Sequence, residues 1–159
     1  MGGVDIVSLA SLDVSQKHMN KLQFSYCRDI LWSDVIDKID NEFKDSSYKL
    51  LIEPTKAPTF VLHNSYFPGT LGKVFNRVNE EMNTKVLHVY TSLGSNSLTF
   101  GKHRDDTDVL IIQAIGQMEY EIEGNIIILN PGEGIIIKEG VYHTPIVKEP
   151  RVTLSFSWS

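Results

Sequence analysis

A single cysteine, Cys27, stands in 159 residues, so the chain can form no internal disulfide. That excludes a disulfide-stapled secreted scaffold and fits a reducing compartment, with the cytoplasm as the expected location. Excess positive charge is missing too. A net charge of −5 and a pI near 5.5 argue against a general nucleic-acid binder, which carries a basic patch, though a local patch remains compatible with them. No apolar run approaches the roughly 20 residues a membrane-spanning helix needs, so no membrane partner is expected. The opening Met1-Gly2-Gly3-Val4-Asp5-Ile6 has neither a basic segment nor a long apolar one, and no signal peptide is expected. Ile6 occupies the position where a myristoylation signal requires Ser or Thr. A Walker loop, a dinucleotide glycine fingerprint, a CxxC pair and a Gly-x-Ser-x-Gly elbow are all absent.

What is present looks like one globular unit. Hydrophobic residues make up 42% and charged residues 22%, ordinary values for a folded domain. The length suits one core, and the expectation is a single domain over 1–159. Residues 1–30 are weakly patterned, with a short helix over about 16–22 capped by Asp13 or Ser15. From Trp32 the pattern sharpens. Val35, Ile36, Ile39 and Phe43 recur at helical spacing, which predicts a helix over 33–45 with Ser33 as its N-cap. Strands are predicted at 48–52 and 59–63. Leu71, Val74, Phe75, Val78 and Met82 then form one stripe of a helix over 70–82.

After Asn83 the chain changes character. Short β-rich runs at 85–92, 107–114, 117–123, 126–129, 134–138, 143–147 and 151–158 are separated by Gly, Pro and Asn turns. Gly124-Asn125 reads as a tight hairpin turn. Such spacing predicts a mainly β fold, a sandwich or jelly roll. The division is then a helix-rich front portion, 1–84, packed against a β core, 85–158.

One pattern carries chemistry. Phe100-Gly101-Lys102-His103-Arg104-Asp105 contains His-x-Asp, and His143 follows much later. Two histidines and one carboxylate so ordered are the ligand set of the facial triad that holds Fe(II) and leaves positions open. Residues two apart on a strand share a face, so His103 and Asp105 can grip one ion while Lys102 points away. His143 must arrive from a distant strand, and the Pro131-Gly132-Glu133-Gly134 turn before it supplies the reversal. His18, His63 and His88 have no spaced partners and read as surface or structural histidines. Tyr66 and Phe67 read as turn or core packing before a substrate mouth. Cys27 has no visible activating base.

These segments resemble the JmjC/cupin-like branch of the Fe(II)- and 2-oxoglutarate-dependent oxygenases. The resemblance runs through His88–Ser95, His103-Arg104-Asp105, Asp108–Gly116, the Pro-Gly-Glu turn and His143, within about 85–158. It implies a double-stranded β-helix, iron on His103, Asp105 and His143, and 2-oxoglutarate held in part by Tyr90. It further implies O₂ as co-reactant and hydroxylation of a protein side chain or small molecule. The larger ribosomal-protein hydroxylases of this branch carry C-terminal dimerisation and winged-helix additions, and these are not expected here. The chain departs from the pattern at one point. The cation usually found on the strand after His-x-Asp, which pairs with the distal carboxylate of 2-oxoglutarate, is here Met118. A buried dianion still needs a cation. Other branches of the superfamily place an Arg on the last strand with Ser or Thr two residues on, and Arg151-Val152-Thr153 resembles that arrangement. Arg151, Thr153 and Ser155 would share a face, which is either the cosubstrate wall or the wet side of a sheet. Gln113 either faces the cosubstrate or makes a structural hydrogen bond. Met118 also leaves a second expectation open: a metal-binding cupin that works without 2-oxoglutarate, as an isomerase or a substrate-fed dioxygenase.

Overall fold

The computed structural model describes residues 20–45, 49–63 and 66–159. Ten strands and two helices follow in the order β1 (Leu22–Gln23), α1 (Trp32–Asp45), β2 (Lys49–Glu53), β3 (Lys56–Leu62), α2 (Gly69–Met82), β4 (Val86–Ser92), β5 (Val109–Ile115), β6 (Met118–Ile122), β7 (Asn125–Leu129), β8 (Glu133–Ile137), β9 (His143–Val147) and β10 (Arg151–Ser157), with a 3₁₀ turn at Ser25–Asp29. The strands form two antiparallel sheets, β1-β8-β5-β10-β4-β3-β2 and β7-β6-β9. The fold is mainly β, a cupin-like jelly roll with its helices outside the larger sheet.

Alternation along β10, at the centre of the larger sheet, assigns the two faces. Val152, Leu154 and Phe156 join Leu87, Val89, Leu110 and Ile112 in a core that the helices cover. α2 contributes the stripe its spacing predicts, Leu71, Val74, Val78 and Met82, all buried. Each such side chain contributes roughly 1.5–3 kcal/mol by leaving water. The inner face meets the smaller sheet through a second core of Val109, Ile111, Met118, Tyr120, Leu129, Ile135 and Val147.

Four details differ from the sequence reading. α1 buries Val35, Lys38 and Glu42, while Ile36 is 59% exposed and Phe43 47%. The buried face therefore carries an ion pair, Lys38 Nζ to Glu42 Oε1 at 3.2 Å, and Phe43 reaches the sheet only by an edge contact with Phe60. Ser33 lies inside the first turn of α1, and the start is held instead by Asp34. Its carboxylate accepts the Leu31 N–H (2.9 Å) and, from the other oxygen, the Thr70 N–H at the start of α2 (3.3 Å). The hairpin turn sits one residue early, because Ile122 pairs with Asn125 and Glu123 and Gly124 take φ of 49° and 82°, the doubly left-handed turn that strand twist favours. Last, the front portion is not only helical. β2 and β3 extend one side of the larger sheet and β1 the other. The helix expected over 16–22 lies mostly outside the described residues, as does His18, and Leu22 is in β1.

Candidate metal centre

His103 and His143 are brought face to face by the main chain. The N–H of His103 donates to the carbonyl of His143 (3.0 Å), and the N–H of His143 donates back (2.9 Å). This reciprocal antiparallel bridge places both side chains on one face, with ring centroids 4.3 Å apart. Asp105 follows two residues on, its carbonyl accepting the N–H of Gly140 (3.0 Å). Its carboxylate lies 3.4 Å from His143 Nε2. One ligand atom from each of the three residues lies within 4.8 Å of the others.

The tautomers suit a metal. His103 Nδ1 is bonded to the Gly101 carbonyl (2.7 Å), and His143 Nδ1 to the Val141 carbonyl (3.0 Å). A carbonyl only accepts, so Nδ1 carries the proton in both rings and Nε2 keeps its lone pair. Such outer hydrogen bonds orient metal-binding imidazoles in general. Gly101 aims its carbonyl from a left-handed φ of +68°, a conformation glycine adopts without penalty. Burial lowers the pKa of His143, with His103 adding to that and the Val141 carbonyl and Asp105 opposing it. The ring is thus neutral at neutral pH, the form that ligates. Two imidazoles and one carboxylate suit a divalent transition ion.

The triad opens into a pocket of about 510 Å³, counting space continuous with solvent, whose wall includes Leu51, Thr59, Tyr90, Phe100, Tyr120, Arg151 and Ser155. Arg151 is 3% exposed. Its Nε donates to Ser92 Oγ (2.8 Å) and its Nη1 to Thr153 Oγ1 (2.9 Å). Thr153 passes its own proton to Gln113 Oε1 (2.7 Å), and Gln113 Nε2 donates to the carbonyls of Ile115 and Gly116. Every member of this relay is fixed by the next. Among the described residues no carboxylate pairs with Arg151. Burial depresses the Arg151 pKa, while Tyr120 and Tyr90 support the charged form. The guanidinium stays charged, as arginine does in proteins.

The structure thus brings together His103, Asp105, His143, Tyr90 and Arg151. Thr153 stands behind Arg151 as its acceptor, and Gln113 fills the structural role of the two open to it. Burial raises the Tyr90 phenol to about 12, Asp105 pushing the same way. Lys102 turns outward, over the Tyr142 ring. Met118 is fully buried in the inner core. Phe67 is buried against Phe75 and Lys38, and Tyr66 is exposed. His63 and His88, read as separate, in fact meet edge to face with centroids 6.0 Å apart. The sequence reading passed over Ser92 and Tyr120. Tyr120 was within reach of it, since period-two alternation puts it on the face of Met118. Ser92 was not, because only the β4–β10 register sets it opposite Arg151.

No protein-family model matches the chain, and no curated protein does. Solved structures do. YcfD, a ribosomal oxygenase from Escherichia coli in complex with cobalt and succinic acid, is 16% identical with a TM-score of 0.54, over 66% of this chain and 32% of that one. The same oxygenase in complex with cobalt and 2-oxoglutarate gives the same values. A cupin superfamily protein from Desulfitobacterium hafniense matches over 67% of this chain and 82% of its own, at 11% identity and a TM-score of 0.47. The chain spans about a third of the length of the oxygenase it matches. At this identity the likeness is one of fold: the chain is built on the barrel of the JmjC/cupin-like oxygenases.

Proposed function

We propose that the chain is a non-haem Fe(II)- and 2-oxoglutarate-dependent oxygenase that hydroxylates a substrate C–H bond with O₂. The observation that carries this reading is Arg151, a buried cation with no carboxylate partner, in the same pocket as the triad. An uncompensated buried charge costs several kcal/mol, and an anion in the pocket offsets that cost. A 2-oxo diacid suits both ends of the site: one end chelates a metal and the other carries a carboxylate.

His103, Asp105 and His143 would hold the metal through Nε2, a carboxylate oxygen and Nε2. Bound there, iron supplies the redox chemistry that no side chain of the pocket can. Arg151 takes the far carboxylate of 2-oxoglutarate, with Tyr90 beside it and Thr153 holding the guanidinium in place. This replaces the cation absent at Met118 with one from β10. Phe100 and Leu51 close the wall and limit water. Asp105 stays ionised as a ligand, so its neighbour Tyr90 keeps its proton at neutral pH and can donate it in a hydrogen bond.

One observation favours a metal cupin that does not use 2-oxoglutarate. Two of the Arg151 donors are already taken by Ser92 and Thr153. Succinate release separates the readings. Protein loaded with Fe(II) should convert 2-oxoglutarate to succinate slowly even without primary substrate, and H103A should not. Metal binding without succinate would leave the cupin. Absence of metal binding would end both. No helix among the described residues is long and apolar enough to cross a membrane, and we place the reaction in the cytoplasm.

A further inference from the structure

The inner face of the larger sheet carries polar groups beyond those that serve the triad. Leu62 pairs with Val89, so His63, the next residue, stands opposite His88. His88 pairs with Ser155, and Ser155 with Ile111. Ser155 and Ile111 both line the pocket. His88 also shares its face with Tyr90, two residues on. A continuous row, His63-His88-Ser155-Ile111, therefore runs one step along the sheet from the row of Tyr90 and Thr153. The two imidazoles are half-buried and meet edge to face.

The charges on this side are of one sign. Lys49 on β2 is paired with Val61 and holds its Nζ 4.8 Å from the Phe100 ring in the pocket wall. Asp105 is the one acidic residue among those lining the pocket, and it belongs to the triad. Glu42, behind the sheet, accepts the main-chain N–H of His63 (2.6 Å) and is ion-paired with Lys38.

We infer that the primary substrate carries an anionic oxygen group, a carboxylate or a phosphate, received by the imidazoles of His63 and His88 beside the reactive pocket. Two imidazoles can each turn an N–H toward one oxygen anion, and Lys49 adds long-range attraction at the rim. Histidine suits a group that must leave as well as arrive, because a neutral ring holds an anion less tightly than a fixed guanidinium does. The word "substrate" rests on the oxygenase reading; the anion site itself does not.

Histidine side-chain NMR on the metal-free full chain tests it, with sodium phosphate, sodium acetate and sodium chloride titrated separately at constant ionic strength. The expected result is a saturable shift of the His63 and His88 resonances, half-complete at about 1–10 mM. The His88 pKa should rise by about one unit at saturation, and the His63 response should disappear in H88Q. Response to acetate alone assigns a carboxylate substrate, response to phosphate alone a phosphorylated one, and response to both the shared chemistry. Chloride should have no saturable effect. A linear, unsaturated drift in all three salts, or a response to chloride equal to the others, overturns the proposal. H103A should behave as wild type in these titrations. A positive result in H103A alongside a wild type that makes no succinate would keep the anion site and discard the oxygenase.

Discussion

Replacing Arg151 should separate the energetics of folding from those of ligand binding. The guanidinium has five N–H groups. One goes to Ser92 and one to Thr153, which leaves up to three for a ligand. A charge-assisted contact of this kind is worth about 1.5–3 kcal/mol, or about tenfold to 150-fold in affinity. R151M should therefore bind 2-oxoglutarate that much more weakly in the presence of Mn(II), while Mn(II) binding itself is unchanged. The effect on the empty protein should be small or of the opposite sign. Arg151 is buried without a counter-charge, and replacing such a charge by an apolar side chain of similar length is often neutral or stabilising. Against that, the Ser92 and Thr153 hydroxyls lose a donor but keep partners in Thr59 and Gln113. R151K should fall between, since it keeps the charge and loses the fork. Calorimetric titration and urea unfolding of the three proteins give both readouts. Equal 2-oxoglutarate affinity in R151M would remove Arg151 from the site. A loss of about 3 kcal/mol or more of stability in R151M would make it a structural residue instead.

Three further outcomes are expected. K38M leaves Glu42 buried beside an apolar side chain and should cost about 3–5 kcal/mol in urea unfolding, much of which K38M/E42L should restore; a change under about 1 kcal/mol would show the pair to be dispensable. G101A strains a residue at φ +68°, by about 1–2 kcal/mol, and displaces the carbonyl that fixes His103 Nδ1, so Mn(II) affinity should fall about tenfold; no neighbouring atom would meet the new methyl, and unchanged affinity would show that the ring is held by other means. Burial lowers the pKa of both His88 and His143 below 6.5, so folding favours their neutral forms. Their contribution is complete above the unfolded value and lost as the pH falls through about 6.5 toward the folded values. Urea midpoints of the metal-free protein should therefore drop between pH 7.5 and 5.5, and a rise over that interval would contradict the burial argument.

Local pattern made most of the elements legible. The strands after Asn83 fall where the β-rich runs lie, because the Gly and Pro turns between them are local signals. α2 reads well because its apolar stripe coincides with its buried face. α1 reads less well, because apolar spacing selects Ile36 and Phe43, whereas the structure buries Lys38 and Glu42. Two charges four residues apart look the same in a sequence whether they face water or each other under a loop. What buries them is the chain at Tyr66 and Phe67, whose carbonyl and ring receive the Lys38 ammonium.

The site divides along the same line. His103 and Asp105 are legible together because they are two residues apart on one extended segment. His143 is legible only as a candidate, since its place opposite His103 depends on a single backbone bridge. Arg151 had two readings, and alternation cannot choose between them: it states which residues share a face, not what lies over that face. The smaller sheet decides, by covering β10 on the side of Arg151 and Thr153 and leaving the guanidinium 3% exposed. His63 and His88 were beyond the sequence altogether. They lie 25 positions apart on segments with no shared motif, and the β3–β4 register alone makes them neighbours. The same register that hides the pair from a linear reading places it one step along the sheet from Tyr90 and beside Ser155. A group arriving at the mouth of the pocket therefore meets it while its reactive carbon is still outside the triad.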